Sequence, residues 1–385
     1  MFESFLSFSV GIEKLNFFSL LLFGTFIFVF LLQMFYYLFF YSRLIFYKKK
    51  HEQNSQSPVS IIICARNEEE NLRNFLPTIL SQDYPDYEII VVNDCSTDNS
   101  QLLLKNFEAK YSNLYVTAIE RDEKFPHGKK LALTIGIKAS RHDWLLLTDA
   151  DSYAISNKWL SFMQKNFTND TEFVLGYGGY IAKKGLLNKL IRFDSFFIGL
   201  QYLTFAVAGV PYMGVGRNLA YRRKLFFENN GFASHIKLHS GDDDLFVNAL
   251  ATKTNTKIEI SPLSHTCSEP EKTFGQWIRQ KRRHFTTGKY YKFKHKVLLS
   301  GEILSRVLFY FLFFILLYFD ILIKYIVLLF IIRFIIQSLI FYHTQKRLQE
   351  KDLFFFNTLF DIFMPIFAIV ILVANIFNRK RLQWK

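Results

Sequence analysis

The chain has 385 residues, of which 50% are hydrophobic and 18% aromatic, with 45 Phe and 20 Tyr, and its 47 basic and 33 acidic side chains leave a formal charge of +14. The apolar residues crowd the start of the chain up to Tyr47 and the stretch from about Val307 onward, while the middle has ordinary soluble composition. This excludes a uniformly greasy globule and points to a membrane protein with one aqueous domain. Much of the positive excess flanks the apolar stretches, at Lys48, Lys49 and Lys50, at Lys346 and Arg347, and at Arg379, Lys380 and Arg381. That placement suits lipid headgroups and membrane topology and argues against nucleic acid as a partner. Cys64, Cys95 and Cys267 are too sparse for a disulfide framework and lack the spacing of a zinc cluster.

Residues 17–41 carry no charge and are long enough to cross a hydrocarbon core of ~30 Å at ~1.5 Å per residue. The run is too long for a signal-peptide core, and no small-residue cleavage site comes after it, so residues 1–50 read as a retained anchor. The basic cluster at 43–50 predicts a cytoplasmic position for the domain that comes next. Residues 51–58 read as a polar linker.

Beyond the linker, β-branched runs at 59–64, 87–92, 114–119 and 144–148 alternate with helical patterns at 68–81, 98–110 and 128–139. This alternation predicts βαβ units and an α/β domain with a mostly parallel central sheet, assigned to 59–300. Ligands of such sheets sit at the carboxyl ends of the strands. The apolar segment 193–215, broken by Gly199, Gly209, Pro211 and Gly214, reads either as a core helix and loop or as the wall of a membrane interface or acceptor channel. Residues 301–385 read as a C-terminal transmembrane region of two to three helices, from apolar runs at 307–323, 325–342 and 354–377. Three crossings after one anchor would leave the basic tail outside, against the positive-inside bias. Either one run is interfacial or the first two form one long tilted element.

Polar residues stand at the strand ends. The first strand ends in Cys64-Ala65-Arg66-Asn67-Glu68, the second in Asn93-Asp94-Cys95-Ser96-Thr97-Asp98, and the fourth in Thr148-Asp149-Ala150-Asp151. Asp149 and Asp151 are two apart and would point the same way along an extended chain. Paired carboxylates at a phosphate site suit a hard divalent cation. Taken singly, Asp94 and Asp98 read equally as turn or helix-cap residues. Further on, Gly241-Asp242-Asp243-Asp244 reads either as a charged first helical turn or as the acid/base of a transfer reaction. The stretch from Trp277 to His284 reads as a basic juxtamembrane helix. His127, His239 and His265 show no ligand spacing and read as surface or satisfied buried side chains.

With these motifs the chain resembles the family 2 glycosyltransferases, whose catalytic domain has the GT-A fold, and within them the membrane-bound branch of cellulose, chitin and hyaluronan synthases. The resemblance spans about 59–289. It rests on the two nucleotide-binding halves, on His127-Gly128-Lys129-Lys130-Leu131-Ala132-Leu133, on the D-x-D at Thr148-Asp149-Ala150-Asp151, and on a Q-x-x-R-W-like Gln280-Lys281-Arg282-Arg283-His284.

The resemblance implies that Ala65, Glu68 and Asp94 hold the uracil and ribose of a uridine-type donor. It places Lys129 near the diphosphate, Asp149 near the nucleotide, and Asp151 on a Mg2+ or Mn2+ ion. The Gly-Asp-Asp register makes Asp243 the base, and a slip of one residue would move that role to Asp242 or Asp244. Gln280, Arg283 and His284 fall on the diphosphate and acceptor side. His284 stands where the family usually has Trp, a departure that argues against a long-polymer synthase. The expected activity is inverting, metal-dependent transfer of a sugar to a lipid-linked or glycan acceptor. Membrane lipids are the expected partners, and the cell (inner) membrane the expected location, with the catalytic domain cytoplasmic. The competing readings are a non-catalytic scaffold that keeps the sugar-nucleotide fold and a transporter using Asp320, Lys324 and Arg333.

Overall fold

The computed structural model describes residues 16–48, 56–120, 128–238 and 240–377. His127, His239, Lys49, Lys50, the first part of the linker and the basic tail from Arg379 lie outside the described residues.

The heart of the chain is a seven-stranded sheet in the order β3-β2-β1-β4-β8-β6-β9. Its strands are β1 (Val59–Ala65), β2 (Tyr87–Asp94), β3 (Leu114–Ile119), β4 (Trp144–Asp149), β6 (Phe173–Gly176), β8 (Leu219–Arg222) and β9 (Thr256–Glu259). The pairs β1–β2, β2–β3, β1–β4 and β6–β9 are parallel, and only β8 runs against its neighbours β4 and β6. The mostly parallel sheet expected from the alternating pattern is therefore present. β1 is buried along its whole length, as a central strand covered on both faces must be.

Period-two alternation sends Ile61, Ile63, Ile89 and Val91 to one core. That core is closed by α2 (Glu69–Leu80), α3 (Ser100–Glu108) and α5 (Trp159–Gln164). Ile62, Cys64, Ile90 and Val92 point to the other core, against α4 (Lys129–Ala139), and that core continues into the membrane helices. The chain runs outward from β1 through β2 to β3, then returns to lay β4 on the other side of β1. A crevice opens where strand order reverses in this way. There Cys64 of β1 pairs with Asp149 of β4.

A second sheet of three-residue strands, β5 (Ser152–Ala154), β10 (Thr266–Ser268) and β7 (Gly178–Tyr180), has no counterpart among the strands expected from the sequence. It carries the chain away from Asp149 through a turn at Ala150 and Asp151. The two acids are thus not successive same-side positions of one extended strand. A strand end and a turn set their directions.

Among the described residues, five helices are long and apolar enough to cross a membrane. One of them, α6 (Leu186–Val207), is buried over 78% of its most apolar stretch. It is the core helix of the two alternatives for segment 193–215, and its residues also line the cavity at the β1–β4 crevice. α7 (Arg223–Glu228), α8 (Asp244–Leu250) and α9 (Phe274–His284) complete the domain.

The remaining long helices are α1 (Phe17–Phe46), α10 (Phe293–Tyr318), α11 (Ile323–Arg347) and α12 (Asn357–Phe377). α10 and α11 are separate, joined by a turn in which Asp320 and Leu322 have φ of 54° and 48°. Asp320 and Lys324 lie exposed at that turn. Arg347 at the end of α11 donates to the carbonyl oxygens of Leu44 and Tyr47 at the domain end of α1. α12 begins close by, with Asn357 paired to Gln345. It ends with Asn375 hydrogen-bonded to Arg282 of α9. Its first residue is thus tied to the end of α11 and its last turn to α9 of the domain.

Where α1, α10, α11 and α12 meet, two guanidinium groups share one carboxylate. Arg306 and Arg333 donate to opposite oxygens of Asp361 at 3.1 and 2.9 Å. Tyr310 adds a 2.6 Å bond, and Glu302 pairs with Arg306. Removing one member of a buried ion group strands the others, at a cost of about 3–5 kcal/mol. Asp361→Ala is therefore expected to lower stability by about that amount, measured as a drop in thermal unfolding temperature in detergent relative to an exposed substitution such as Lys324→Ala.

Candidate functional site

A cavity of about 620 Å3 opens at the β1–β4 crevice. Its polar end is lined by Glu68, Lys129, Asp149, Asp151, Asp242 and Asp243. Gln280, Arg283 and His284 of α9 line the same space. Of the residues that the family resemblance assigns to the site, Ala65 and Asp94 are the two that do not line it. Both are buried at neighbouring strand ends, and Asp94 lies 4.0 Å from the guanidinium of Arg66, which does reach the cavity.

Lys129, the first residue of α4, organises the carboxylates. Its ammonium lies 2.8 Å from Asp149 and 3.1 Å from Asp242. Burial works against this charge, but Asp149, Asp242 and Asp243 outweigh it and raise the Lys129 pKa well above the ordinary lysine value. Its backbone neighbour Lys130 is spent differently, donating to the carbonyl oxygens of His235 and Leu238. It fixes the loop that leads to the acidic triplet.

The three acids of that triplet have three environments. Burial opposes ionisation of Asp242, but the charge and hydrogen bond of Lys129 prevail and lower its pKa. Asp244 accepts from the Tyr291 hydroxyl at 2.7 Å, from the Thr287 hydroxyl and from the backbone N–H of Leu245. It is a wall bracket. Asp243 caps α8, one oxygen accepting from the N–H of Asp244 and the other from the N–H of Gly216, both at 2.7 Å. The charged first helical turn expected of this motif is present, with Asp244 in it. Burial, then the charges of Asp242 and Asp244, push the Asp243 carboxyl up to about 7, against the pull of Lys129 and Gly216.

The backbone is shaped to allow this. Gly241 sits at φ 100°, a conformation side chains avoid, and a Cβ at Gly216 would lie 3.3 Å from both the Asp243 carboxylate and the Lys129 ammonium.

Asp149 and Asp151 both face the cavity, Asp151 held through its carbonyl oxygen by the N–H of Glu269. Among the described residues no three His, Cys, Asp or Glu side chains converge on one point. A Mg2+- or Mn2+-type ion takes one or two carboxylates and fills its other positions from water and substrate phosphate, so this open oxygen pair fits it.

Across the cavity, Arg217 donates to the carbonyl of Gly178 and the hydroxyl of Ser195 and stacks over Tyr180. Arg217 opens the stretch to Tyr221 that resembles the family's acceptor-side strand after a Gly-rich turn, and it lines the cavity. His284 is exposed along the cavity wall, where the surrounding protein and then the charges of Arg283, Lys281, Arg217 and Lys129 hold its pKa well below the ordinary histidine value. It is neutral at pH 7. Of the other histidines, His265 is buried against Tyr177, its ring nitrogen within 3.2 Å of the Ile260 carbonyl oxygen, and burial pushes its pKa down to about 4.

The sequence model of glycosyl transferase family 2 matches residues 60–228, the stretch that supplies Lys129, Asp149 and Asp151. The α/β domain belongs to that family. Poly-beta-1,6-N-acetyl-D-glucosamine synthase of Staphylococcus epidermidis is 32% identical over 94 residues, 24% of this chain and 22% of that protein. Probable glycosyltransferase YdaM of Bacillus subtilis is 28% identical over 235 residues, 58% of this chain and 54% of that protein. The chain thus spans from about a fifth to about half of the length of these curated relatives. Among solved structures, mannosyltransferase PcManGT from Pyrobaculum calidifontis, in complex with GDP-Man and Mn2+, superposes with a TM-score of 0.57 at 15% identity. That match covers 89% of this chain and 97% of the other, and establishes the GT-A fold.

Tyr291→Phe removes one of the bonds that pin Asp244. Loss of a buried hydrogen bond of this kind costs about 1–3 kcal/mol. The variant is expected to lose that much stability in denaturant titration while leaving the cavity carboxylates in place.

Proposed function

We propose that the protein is an inverting, metal-dependent glycosyltransferase. It moves a sugar from a nucleotide-diphosphate donor, of the uridine type by family resemblance, to an acceptor hydroxyl at the membrane, lipid-linked or glycan. The observation that carries this reading is that the D-x-D carboxylates and the Asp242–Asp243 pair face one cavity, joined through a single lysine. The two curated relatives are a glycan synthase and a probable glycosyltransferase, and the solved neighbour holds a sugar nucleotide and Mn2+.

Asp151 and Asp149 would hold the divalent ion, which when bound would supply charge neutralisation for the diphosphate. Lys129 and Arg283 add positive charge where the departing diphosphate becomes more negative. Asp243 takes the proton of the acceptor hydroxyl. The freed oxygen forms a bond to the anomeric carbon, and the electron pair of the breaking carbon–oxygen bond leaves with the nucleoside diphosphate. A single displacement of this kind inverts the anomeric centre. Asp243 suits the role, because a base works best with a pKa near the operating pH, and its surroundings push its carboxyl up to about 7. The neutral His284 offers an uncharged contact on the acceptor side.

Asp243→Asn is expected to abolish transfer while nucleotide-sugar binding survives, and Asp151→Ala to weaken donor binding only when metal is present. Released nucleotide and equilibrium binding, measured over a panel of nucleotide sugars, separate the two effects. Wild-type turnover in Asp243→Asn would remove Asp243 from the reaction.

The base must be ionised, so activity should fall as pH drops through about 7, the value to which Asp243 is raised. Lys129→Met removes a positive neighbour that favours the charged form. It should therefore move the acid limb of the rate profile to higher pH, read from initial rates between pH 5 and 9.

A further inference from the structure

The cavity has a second end. Past the carboxylates it runs under α12 and along the first turns of α10, where Ile303, Met364, Phe367, Ala368 and Leu372 line it. α12 is held in place as a roof. Trp277 of α9 stacks on Phe367 at 4.8 Å with the rings 4° from parallel, and Asn375 closes the far end on Arg282. One space therefore joins a carboxylate-lined site to an apolar slot at the membrane helices.

Among the described residues the slot is floored by side chains of α10. Glu302 and Arg306 form that floor, and behind them the middle of the bundle is filled. Asp361, Arg333, Arg306, Glu302 and Gln33 are each at most 3% exposed. Arg333 donates to Gln33 at 3.1 Å and to Gln337 at 3.0 Å, and Gln33 donates to Ser305 at 2.6 Å. These bonds join all four helices through groups whose separation in an apolar medium is costly. A sugar chain threading the bundle would have to break them. At the junction between the polar and apolar ends, Arg283, Lys289 and Lys296 line the cavity and have no carboxylate partner among the described residues.

We infer that the acceptor is a membrane lipid with a hydroxyl-bearing, anionic headgroup. Its chains lie in the slot beneath α12, and its hydroxyl reaches Asp243. This rests on the proposed transferase activity and narrows it. The acceptor enters sideways from the bilayer, Lys289 and Lys296 take its negative charge while Arg283 is left to the diphosphate, and the product stays on the side where the donor binds. The membrane helices anchor and seal the site. They are not an export path.

The test uses the full-length protein in vesicles of phosphatidylcholine alone or mixed with phosphatidylglycerol, a lipid that is both anionic and hydroxyl-bearing. The donor is a labelled nucleotide sugar, and a soluble oligosaccharide is offered separately. The expected result is organic-extractable label only with phosphatidylglycerol, and a drop of at least tenfold in Ala368→Trp, which fills the slot. Nucleotide binding should be unchanged in that variant.

A diazirine-bearing phosphatidylglycerol gives a reading that needs no turnover. Cross-links to peptides holding Ile303 or Ala368, lost in Ala368→Trp, support the slot even if no donor is consumed, which would instead count against the transferase reading. Cross-links confined to the outer faces of α1, α10 and α11 would overturn the inference, as would label appearing in soluble glycan or sealed inside the vesicles.

Discussion

Everything at this site depends on one ammonium group. Asp149, Asp242 and Asp243 come from distant parts of the chain, and buried carboxylates so close to one another repel. Lys129 sits between the first two and within the field of the third. Its charge lets the end of β4 and the turn before α8 approach, and so makes a cavity where two βαβ surfaces would otherwise separate. The same charge divides the work inside the triplet. It keeps Asp242 ionised and leaves Asp243, capped by two N–H groups and flanked by two acids, as the carboxyl that holds a proton most readily.

The architecture around that group is set by strand order. Reversal at β1 opens the crevice, and the antiparallel β8 carries Gly216 and Arg217 at its entrance to face it. α6 then couples the domain to the membrane. Arg192 on that helix donates to Glu350 and Asp352 beyond α11, while Asp194 holds Lys281 of α9. Burial pushes the Glu350 carboxyl up to about 7 despite the Arg192 charge. The α/β domain and the apolar helices thus share one continuous core, and the site sits where they join.

How much of this was legible in the sequence depended on the range of the signal. The parallel strands and their helices were written in β-branched runs such as Val59 to Cys64 and in amphipathic spacing between them, both local patterns. The D-x-D and Gly-Asp-Asp motifs could be named through the family resemblance, and Lys129, Asp149, Asp151, Asp242 and Asp243 do line one cavity. What could not be read was contact between distant short segments. Three-residue strands leave no periodic trace, so the β5-β10-β7 sheet and the turn it imposes on Asp151 were invisible. Asp361 looked like an ordinary charge, because its partner Arg306 lies 55 residues away on another helix. The tie of α12 to α9 through Asn375 and Arg282 is a contact of the same long-range kind.

The most direct measurement is an experimental structure with a nucleoside diphosphate and Mn2+ bound, using the anomalous signal of the metal to locate it. The expected result is a manganese peak at Asp151 and Asp149, a diphosphate between that peak and Arg283, and Asp243 facing the empty space beyond. A peak elsewhere, with the nucleotide outside the cavity and Lys129 still clasping Asp149, would contradict a shared metal–diphosphate site.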